Sequence, residues 1–265
     1  MINHEKRLKN RIEIYSRMQN SLCSSPWIDY TKAHETTRKE LENAIVKYVI
    51  NNEKGIRAPV VVAPYGSGKT TLLRHLLCYS ISRDIPAIKI NLRSFVSFLK
   101  SLGTTNINED NLIGYLSLFC RNTIKQIINY LQSNEQKQTN INDTINDIID
   151  EFNSINANKN NIINILSKFL EINNQKCVLL IDEIEESYSK LNQIVEHETT
   201  PFRGVFDMVV EGKSRIFPVL AFGPSSIYSE VVSNAGSWRV ISYVIPMITP
   251  INIAQKITDS SPRIS

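Results

Sequence analysis

Hydrophobic residues in this chain form short continuous runs, and the segments between these runs carry apolar residues at helical spacing. The runs predict strands at 58–63, 85–92, 177–181, 216–222 and 240–245. Several runs lack polar alternation, which is typical of strands buried on both faces. Strands that alternate with helices favour a parallel sheet between two helical layers. The pattern therefore predicts an α/β fold.

Helical spacing predicts helices at 33–51, 71–82 and 202–210. Residues 94–174, between the second and third strands, show recurring helical periodicity. We interpret this region as a long helical insertion in one core that spans 33–265, and not as a separate enzyme domain.

Residues 1–32 are predicted to form an N-terminal helical extension. Its predicted helix, at 5–19, carries the basic residues Lys6, Arg7, Lys9 and Arg11, with apolar residues at helical spacing. Such a helix is either a solvated docking helix or an arm that binds DNA or a protein partner.

The segment after the first strand matches the phosphate-binding pattern G-x-x-x-x-G-K-[ST], with alanine at the first glycine position. Backbone N–H groups in such a loop face inward and, with the helix N-terminus behind them, hold an anion. The lysine reaches the β- and γ-phosphates and is also a candidate catalytic residue, while the next hydroxyl ligates Mg²⁺. The predicted nucleotide-binding residues are Ala63, Pro64, Tyr65, Gly66, Ser67, Gly68, Lys69, Thr70 and Thr71.

A second motif ends the apolar run at 177–181 with Asp182 and Glu183. A buried strand delivers these side chains to its carboxyl end, where an open α/β sheet builds its ligand site. We expect Asp182 to hold Mg²⁺ together with Thr70, and Glu183 to polarise the attacking water as a general base. The acidic pair alone is a common strand ending, but downstream of a phosphate loop it favours a triphosphate site.

The two motifs together resemble those of AAA+ ATPases and their near relatives in the ASCE class of P-loop proteins, from about residue 33 to the end. The helix before the loop strand is similar to the layout of initiator and STAND-type signalling branches. The resemblance implies a three-layer sandwich with a mainly parallel five-stranded sheet in the order 5-1-4-3-2. It also implies ATP and Mg²⁺ as cofactors, ATP hydrolysis, and a homo-oligomer that assembles with ATP.

The resemblance suggests two further site residues. Ser225 follows the strand at 216–222, where relatives carry a polar residue that senses the γ-phosphate. Arg239 precedes the strand at 240–245, where an arginine often reaches the neighbouring subunit's site and stabilises transition-state charge. Arg203 is the alternative for this role, and an ordinary surface arginine is the other interpretation of Arg239.

Relatives normally carry a helical lid after the last core strand, whereas only the stretch 251–257 follows here. We expect the lid to be missing or reduced. This indicates either a minimal or truncated member of the group, or an insertion at 94–174 that covers the nucleotide instead.

The bulk composition adds little about partners. The net charge of +4 and the pI near 8.8 are compatible with DNA binding but do not establish it. No apolar run approaches the roughly 18 residues that span a bilayer, and the polar N-terminus lacks a secretory signal, so we expect a cytoplasmic protein without membrane contact. Cys78 and Cys177 lie in apolar stretches and are expected to be core thiols.

The leading functional hypothesis is an ATPase whose hydrolysis drives a rearrangement of subunits or DNA. The alternative is a slow nucleotide-dependent switch or scaffold that assembles when ATP is bound. A small-molecule kinase is disfavoured because Asp182 and Glu183 resemble a water-activating pair, and an ABC-type ATPase is disfavoured because no Leu-Ser-Gly-Gly-Gln-like signature occurs.

Overall fold

Five parallel strands form the centre of the protein, whose computed structural model describes residues 31–132, 159–171 and 176–247. In chain order, the strands of this part are β1 Ala58–Val62, β2 Ala87–Asn91, β3 Ile107–Asn108, β4 Cys177–Asp182, β5 Val195–Glu196, β6 Ile216–Phe222 and β7 Val240–Val244. All strands except β3 and β5 belong to the large sheet. Every residue of β1, β4 and β6 is buried, so both faces of the sheet are covered.

The strand order across the large sheet is β2-β4-β6-β1-β7, and every neighbouring pair is parallel. Counted along the chain, this is the predicted order 5-1-4-3-2, so the predicted α/β sandwich is confirmed. The order places β1 between β6 and β7, with β4 beyond β6. The carboxyl ends of β1, β4 and β6 therefore meet at one edge of the sheet.

The helices alternate with these strands. They are α1 Lys32–Ile45, α2 Lys69–Ser82, α3 Leu92–Ser101, α4 Leu112–Gln132, α5 Lys159–Leu170, α6 Ile184–Ile194, α7 Arg203–Val210 and α8 Ser226–Ala235. A π-helical turn, Val46–Ile50, continues α1, and a 3₁₀ turn, Glu109–Asn111, precedes α4. Helices α4 and α5 pack together through buried side chains such as Ile127 and Leu166. The described part of the insertion is thus mainly helical, as its periodicity predicts.

Two features of the fold differ from the expectations. We predicted one helix between the Asp-Glu strand and the next strand of the sheet, but α6 and α7 both lie there. Helix α6 was missed because the acidic residues at its start resemble a loop. The short strands β3 and β5 pair in parallel through Ile107 and Val195, and such two-residue strands have no detectable periodicity. The predicted helix at 5–19 and the question of the lid lie outside the described residues.

Tyr48 anchors the π-helical turn to the sheet. Its hydroxyl donates a hydrogen bond to the carbonyl oxygen of Ser214 at 2.7 Å, and its ring stacks on Phe217 with centroids 4.7 Å apart. Burial raises the pKa of Tyr48, so the phenol stays neutral and keeps its donor. The helix before β1 is therefore fixed to the amino end of β6, on the side of the sheet away from its carboxyl edge.

Glu42 joins α1 to α2, the helix that begins at Lys69. Its Oε1 accepts a hydrogen bond from Arg38 Nη1 at 3.0 Å and pairs with His75 Nε2 of α2 at 2.7 Å. Burial raises the pKa of this carboxyl, but the hydrogen bonds from His75 and Arg38 outweigh burial and leave the pKa below its usual value. The ionised carboxylate is thus a stabilising contact between the two helices.

Glu42→Gln is expected to lower the free energy of unfolding at pH 7 by about 1.5 kcal/mol, because hydrogen bonds to a charged group are the stronger ones. The folded-state pKa of the Glu42 carboxyl lies below its ordinary value of 4.5. The stabilisation is therefore present above pH 4.5 and is lost as the pH falls through the folded-state pKa. Chemical unfolding of wild type and variant between pH 7 and pH 3 measures this difference.

The matched control is Glu40→Gln, which removes the same charge from the exposed side of α1. It should change the free energy of unfolding by less than about 0.5 kcal/mol. A difference between wild type and Glu42→Gln that stays constant at acid pH would contradict the ionic origin of the contact.

The cysteines depart in part from the expectation of core thiols. Cys177 and Cys120 are free and buried, and burial raises the pKa of Cys120 to about 12. Cys78, in contrast, is disulfide-bonded. Among the residues that the structure describes, no helix is long and apolar enough to span a membrane.

Candidate nucleotide site

The loop between β1 and α2 forms a concave backbone turn. Gly66 and Gly68 have φ angles of +77° and +89°, a left-handed conformation that side chains disfavour. Ser67 is fully buried, and its hydroxyl donates a hydrogen bond to the carbonyl oxygen of Pro64 at 2.6 Å. This hydrogen bond connects the two residues across the loop. Gly68 precedes α2 without a side-chain cap, which leaves the first N–H groups of this helix available to an anion.

Ala63 replaces the first glycine of the phosphate-binding pattern without strain. Its φ angle is not among the positive ones, so this position does not need glycine in this backbone. Its N–H donates to the carbonyl oxygen of Phe222 at 3.0 Å, which fixes the loop to the end of β6. Its carbonyl oxygen accepts a hydrogen bond from Lys69 Nζ at 3.2 Å. The departure from the pattern therefore leaves the geometry of the loop intact.

Thr70 and Asp182 meet across the edge of the sheet. The Thr70 hydroxyl donates to Asp182 Oδ2 at 2.9 Å, and only 4% of Asp182 is exposed. Lys89 of β2 brings its Nζ to within 3.8 Å of the same oxygen. A hydroxyl and one carboxylate fit Mg²⁺, which keeps several waters and takes its remaining ligands from substrate phosphates. No cluster of three His, Cys, Asp or Glu residues with metal-binding geometry occurs among the described residues.

Glu183 lies at the start of α6 in a left-handed conformation, with a φ angle of +55°. Its N–H donates to Asp182 Oδ1 at 3.1 Å, and its side chain is exposed. A cleft of about 650 Å³ brings the phosphate loop and both acidic residues together. Its lining residues are Pro64, Tyr65, Gly66, Gly68, Lys69, Thr70, Thr71, Asp182, Glu183, Glu185, Glu186, Gly223 and Pro224.

Ser225 is not among the residues that line this cleft. It caps α8, where its hydroxyl accepts a hydrogen bond from the Tyr228 N–H at 3.3 Å. The residues of this loop that reach the cleft are Gly223 and Pro224, which carry no polar side-chain atom. A γ-phosphate-sensing role for Ser225 stays a prediction.

Arg239 lies at the amino end of β7, where its carbonyl oxygen accepts a hydrogen bond from the Ala58 N–H at 2.9 Å. The phosphate loop follows the opposite end of β1, ~16 Å away at about 3.3 Å per residue. The guanidinium donates to Asp207 Oδ1 at 2.5 Å and stacks on Trp238 at 3.8 Å. Arg239 is therefore not brought to the phosphate loop of its own chain, and its action on a neighbouring subunit stays a prediction.

Arg203, the alternative arginine, shares the same carboxylate. Its Nε lies 4.0 Å from Asp207 Oδ2, and its Nη1 lies 3.6 Å from Glu198 Oε2. Helix α7 thus holds both candidate arginines on Asp207. Sequence spacing did not indicate this arrangement, because Asp207 and Arg239 belong to different elements.

Three side chains of the site were not predicted from the sequence. Glu185 and Glu186 lie within the first turn of α6 and line the cleft, and Lys89 approaches Asp182 from β2. The only available signals were the acidic run after Asp182 and one lysine inside an otherwise apolar strand. Neither signal specifies a contact.

The strand order, the glycine-containing loop after β1 and the aspartate at the end of β4 define a P-loop NTPase-like fold. No protein-family model and no curated protein sequence matches the chain. Among solved structures, the chain is similar to the Aeropyrum pernix Orc1 protein in complex with DNA, with 12% identity and a TM-score of 0.42. The alignment covers 85% of this chain and 48% of the Orc1 chain, so this chain spans about half the length of that protein.

Proposed function

We infer that the chain is a Mg²⁺-dependent ATP-binding protein and ATP hydrolase of the AAA+ type. The observation that carries this inference is the hydrogen bond from Thr70 to the buried Asp182, formed beside an uncapped α2 and a loop with two left-handed glycines. The stability of the core does not require a buried carboxylate beside an anion-binding loop. The presence of this carboxylate therefore supports a functional site.

The loop binds the triphosphate in this proposal. Backbone N–H groups of residues 66–71 surround the phosphates, and Lys69 exchanges the carbonyl oxygen of Ala63 for the β- and γ-phosphate oxygens. Thr70 and Asp182 would hold Mg²⁺, which would supply positive charge for the phosphate oxygens during transfer. Adenine preference follows from the AAA+ resemblance and from the absence of an Asn-Lys-x-Asp guanine-reading motif.

Glu183 is the proposed general base. It follows Asp182 directly and lines the same cleft as Lys69, so its carboxylate belongs to the site in which the γ-phosphate would bind.

The proposal is tested by ATP binding and phosphate release with the purified chain. We expect saturable ATP binding that tightens when Mg²⁺ is added, and phosphate release that depends on Mg²⁺. Asp182→Asn should reduce the Mg²⁺ effect on both. A wild-type chain that binds no ATP in the presence of Mg²⁺ would reject the proposed function.

Two modes of action remain to be separated. An ATPase that acts on DNA should release phosphate faster when DNA is added, and its activity should depend on salt. A slow switch or scaffold should instead assemble into a homo-oligomer with ATP while phosphate release stays negligible. Light scattering with ATP, measured beside turnover with and without DNA, distinguishes the two.

We propose that Arg239 acts on the γ-phosphate of a neighbouring subunit after it leaves Asp207. Arg239→Ala should then lower turnover at least about tenfold while ATP affinity stays within twofold, because a trans-acting arginine contributes to transition-state charge. Because Arg239 also contacts Asp207, a loss of turnover in Arg239→Ala could come from a local structural change. Complementation between two inactive variants separates this effect from a role in the neighbouring site.

Arg239→Ala retains its own nucleotide site, and Glu183→Gln retains Arg239. A mixture of the two should therefore turn over ATP faster than the sum of the separate proteins. Arg203→Ala, which removes the other arginine on Asp207, serves as the matched variant. Complementation by Arg203→Ala and not by Arg239→Ala would transfer the role to Arg203, and a wild type that stays monomeric with ATP would reject a trans-acting arginine altogether.

A further inference from the structure

Glu185 carries a buried carboxylate oxygen inside the nucleotide cleft. It stands two residues after Glu183 on the first turn of α6 and lines the cleft together with Lys69 and Gly223. Its Oε1 is excluded from solvent and has no hydrogen-bond partner among the described residues. Because a buried, unpaired carboxylate oxygen is costly, this group is expected to receive a donor in the functional state.

Gly223 leaves the space that this carboxylate occupies. A Cβ atom at Gly223 would lie 2.7 Å from Glu185 Oε1 and 3.7 Å from Lys69 Nζ. Gly223 does not have a positive φ angle, so its backbone would accept an alanine. The glycine is therefore needed for the space beside Glu185 and Lys69, and not for the conformation of the turn.

The chemistry of the cleft limits what can donate to Glu185. Triphosphate oxygens are acceptors, and a carboxylate directly against them would be repelled. Thr70 and Asp182 are bonded to each other and are the residues proposed to hold the metal. Lys69 Nζ donates to the carbonyl oxygen of Ala63 and, in the proposed function, to the phosphates. A water molecule beside the γ-phosphate is then a donor with suitable chemistry, and it carries two hydrogens.

On the basis of the proposed function, we propose that Glu185 is a second catalytic carboxylate that accepts a hydrogen bond from the attacking water and orients it. The water oxygen forms a bond to the γ-phosphorus, while the bond from this phosphorus to the β–γ bridging oxygen breaks and its electron pair leaves with ADP. One water proton passes to Glu183 and then to the released phosphate. The other hydrogen remains covalently bound to the attacking oxygen and is hydrogen-bonded to Glu185 until the phosphate departs.

Substitutions at Glu185 separate orientation from proton transfer. Glu185→Leu removes every acceptor at similar size, so turnover should fall by about 100-fold, the loss expected when a reacting group is misplaced by about 1 Å. Glu185→Gln keeps one acceptor oxygen and should lie between wild type and Glu185→Leu. Glu40→Gln, which removes an exposed carboxylate on α1 outside the cleft, is the charge-matched control and should keep at least half of the wild-type turnover.

A binding measurement gives a readout that is independent of turnover. ADP with tetrafluoroaluminate imitates the planar phosphoryl group with its axial water, so it reports on groups that act in the transition state. Glu185→Leu should weaken the trapping of this complex at least about tenfold and leave the dissociation constants of ADP and ATP within twofold. A purely structural role would shift all three affinities together or none.

The pair Glu185 and Gly223 provides a second, independent test. Gly223→Ala should displace the Glu185 carboxylate and lower turnover at least about tenfold in the wild-type background. In the Glu185→Ala background it should have no further effect, because the displaced group is already absent. Gly114→Ala, in open space on α4, is the matched control for the added methyl group.

The outcomes separate this inference from the proposed function. Wild-type turnover that persists in Glu185→Leu, or additive effects of Gly223→Ala and Glu185→Ala, would overturn the role of Glu185 and leave the ATPase intact. Equal losses in Glu185→Gln and Glu185→Leu would overturn the orienting role, since an acceptor then does not suffice. A wild-type chain without ATP turnover would overturn the hydrolase proposal and this inference together.

Discussion

Lys69→Ala is expected to weaken ATP binding by at least about 100-fold. The lysine would contribute charge-assisted hydrogen bonds to two phosphates, each worth about 1.5–3 kcal/mol, and about 2.7 kcal/mol corresponds to 100-fold in affinity. In the structure its Nζ contacts only one backbone carbonyl, at 3.2 Å, so its loss should not unfold the protein. Titration of a fluorescent ATP analogue at fixed ionic strength measures the effect.

Lys190→Ala is the matched control for this prediction. It removes the same charge from an exposed position on α6, the helix that follows Asp182. Its ATP affinity should stay within about twofold of wild type. Thermal unfolding adds an independent measurement, because saturating ATP stabilises only a chain that binds it. An ATP-dependent shift that survives in Lys69→Ala would contradict the assignment of the phosphate loop.

Glu183→Gln is expected to retain ATP while turnover falls by about 10² to 10⁴, the contribution of a general base. Glutamine matches the size of the exposed side chain, and Asp182 keeps its hydrogen bonds to Thr70 and to the N–H of residue 183. Single-turnover phosphate release and equilibrium ATP binding, measured on the same preparation, separate the two effects. Unchanged turnover would remove Glu183 from the role of base.

Turnover that is lost together with ATP affinity would also contradict the assignment, since it would indicate damage to the site. Glu40→Gln again provides the control, because it removes an exposed carboxylate outside the cleft. Comparison of Glu183→Gln with Glu185→Gln then separates proton transfer from orientation of the water. The former should lose more turnover, because it removes the proposed proton acceptor, whereas Glu185→Gln keeps one oxygen that can orient the water.

The two motifs of the site were predictable from local sequence patterns, and the structure adds the distances between them. The glycine-containing loop and the apolar run that ends at Asp182 are short segments whose conformation follows from adjacent residues. The order of the sheet follows from the AAA+ resemblance and is confirmed by the pairing of β1 with β6 and β7. Helix α6 was missed because two acidic residues within its first three positions, directly after Asp182 and Glu183, obscured its apolar face, which includes Tyr188 and Leu191.

Other features required the packed molecule. Glu185 and Gly223 meet only because β4 and β6 are neighbours and both end at the same edge. Arg239 pairs with Asp207 although 32 residues separate them along the chain. No periodicity encodes such contacts, because they depend on strand order, on register and on the space left by small residues.

The sequence by itself determined that this chain places a glycine-containing turn after one buried strand and an aspartate at the end of another. Backbone freedom at Gly66 and Gly68 and the apolar run before Asp182 are local properties, so adjacent residues are enough to specify them. Only the tertiary structure decided which side chains share the cleft and which are held elsewhere. It buries Glu185 Oε1 next to Gly223 and holds Arg239 on Asp207, because packing brings distant segments into contact with one another.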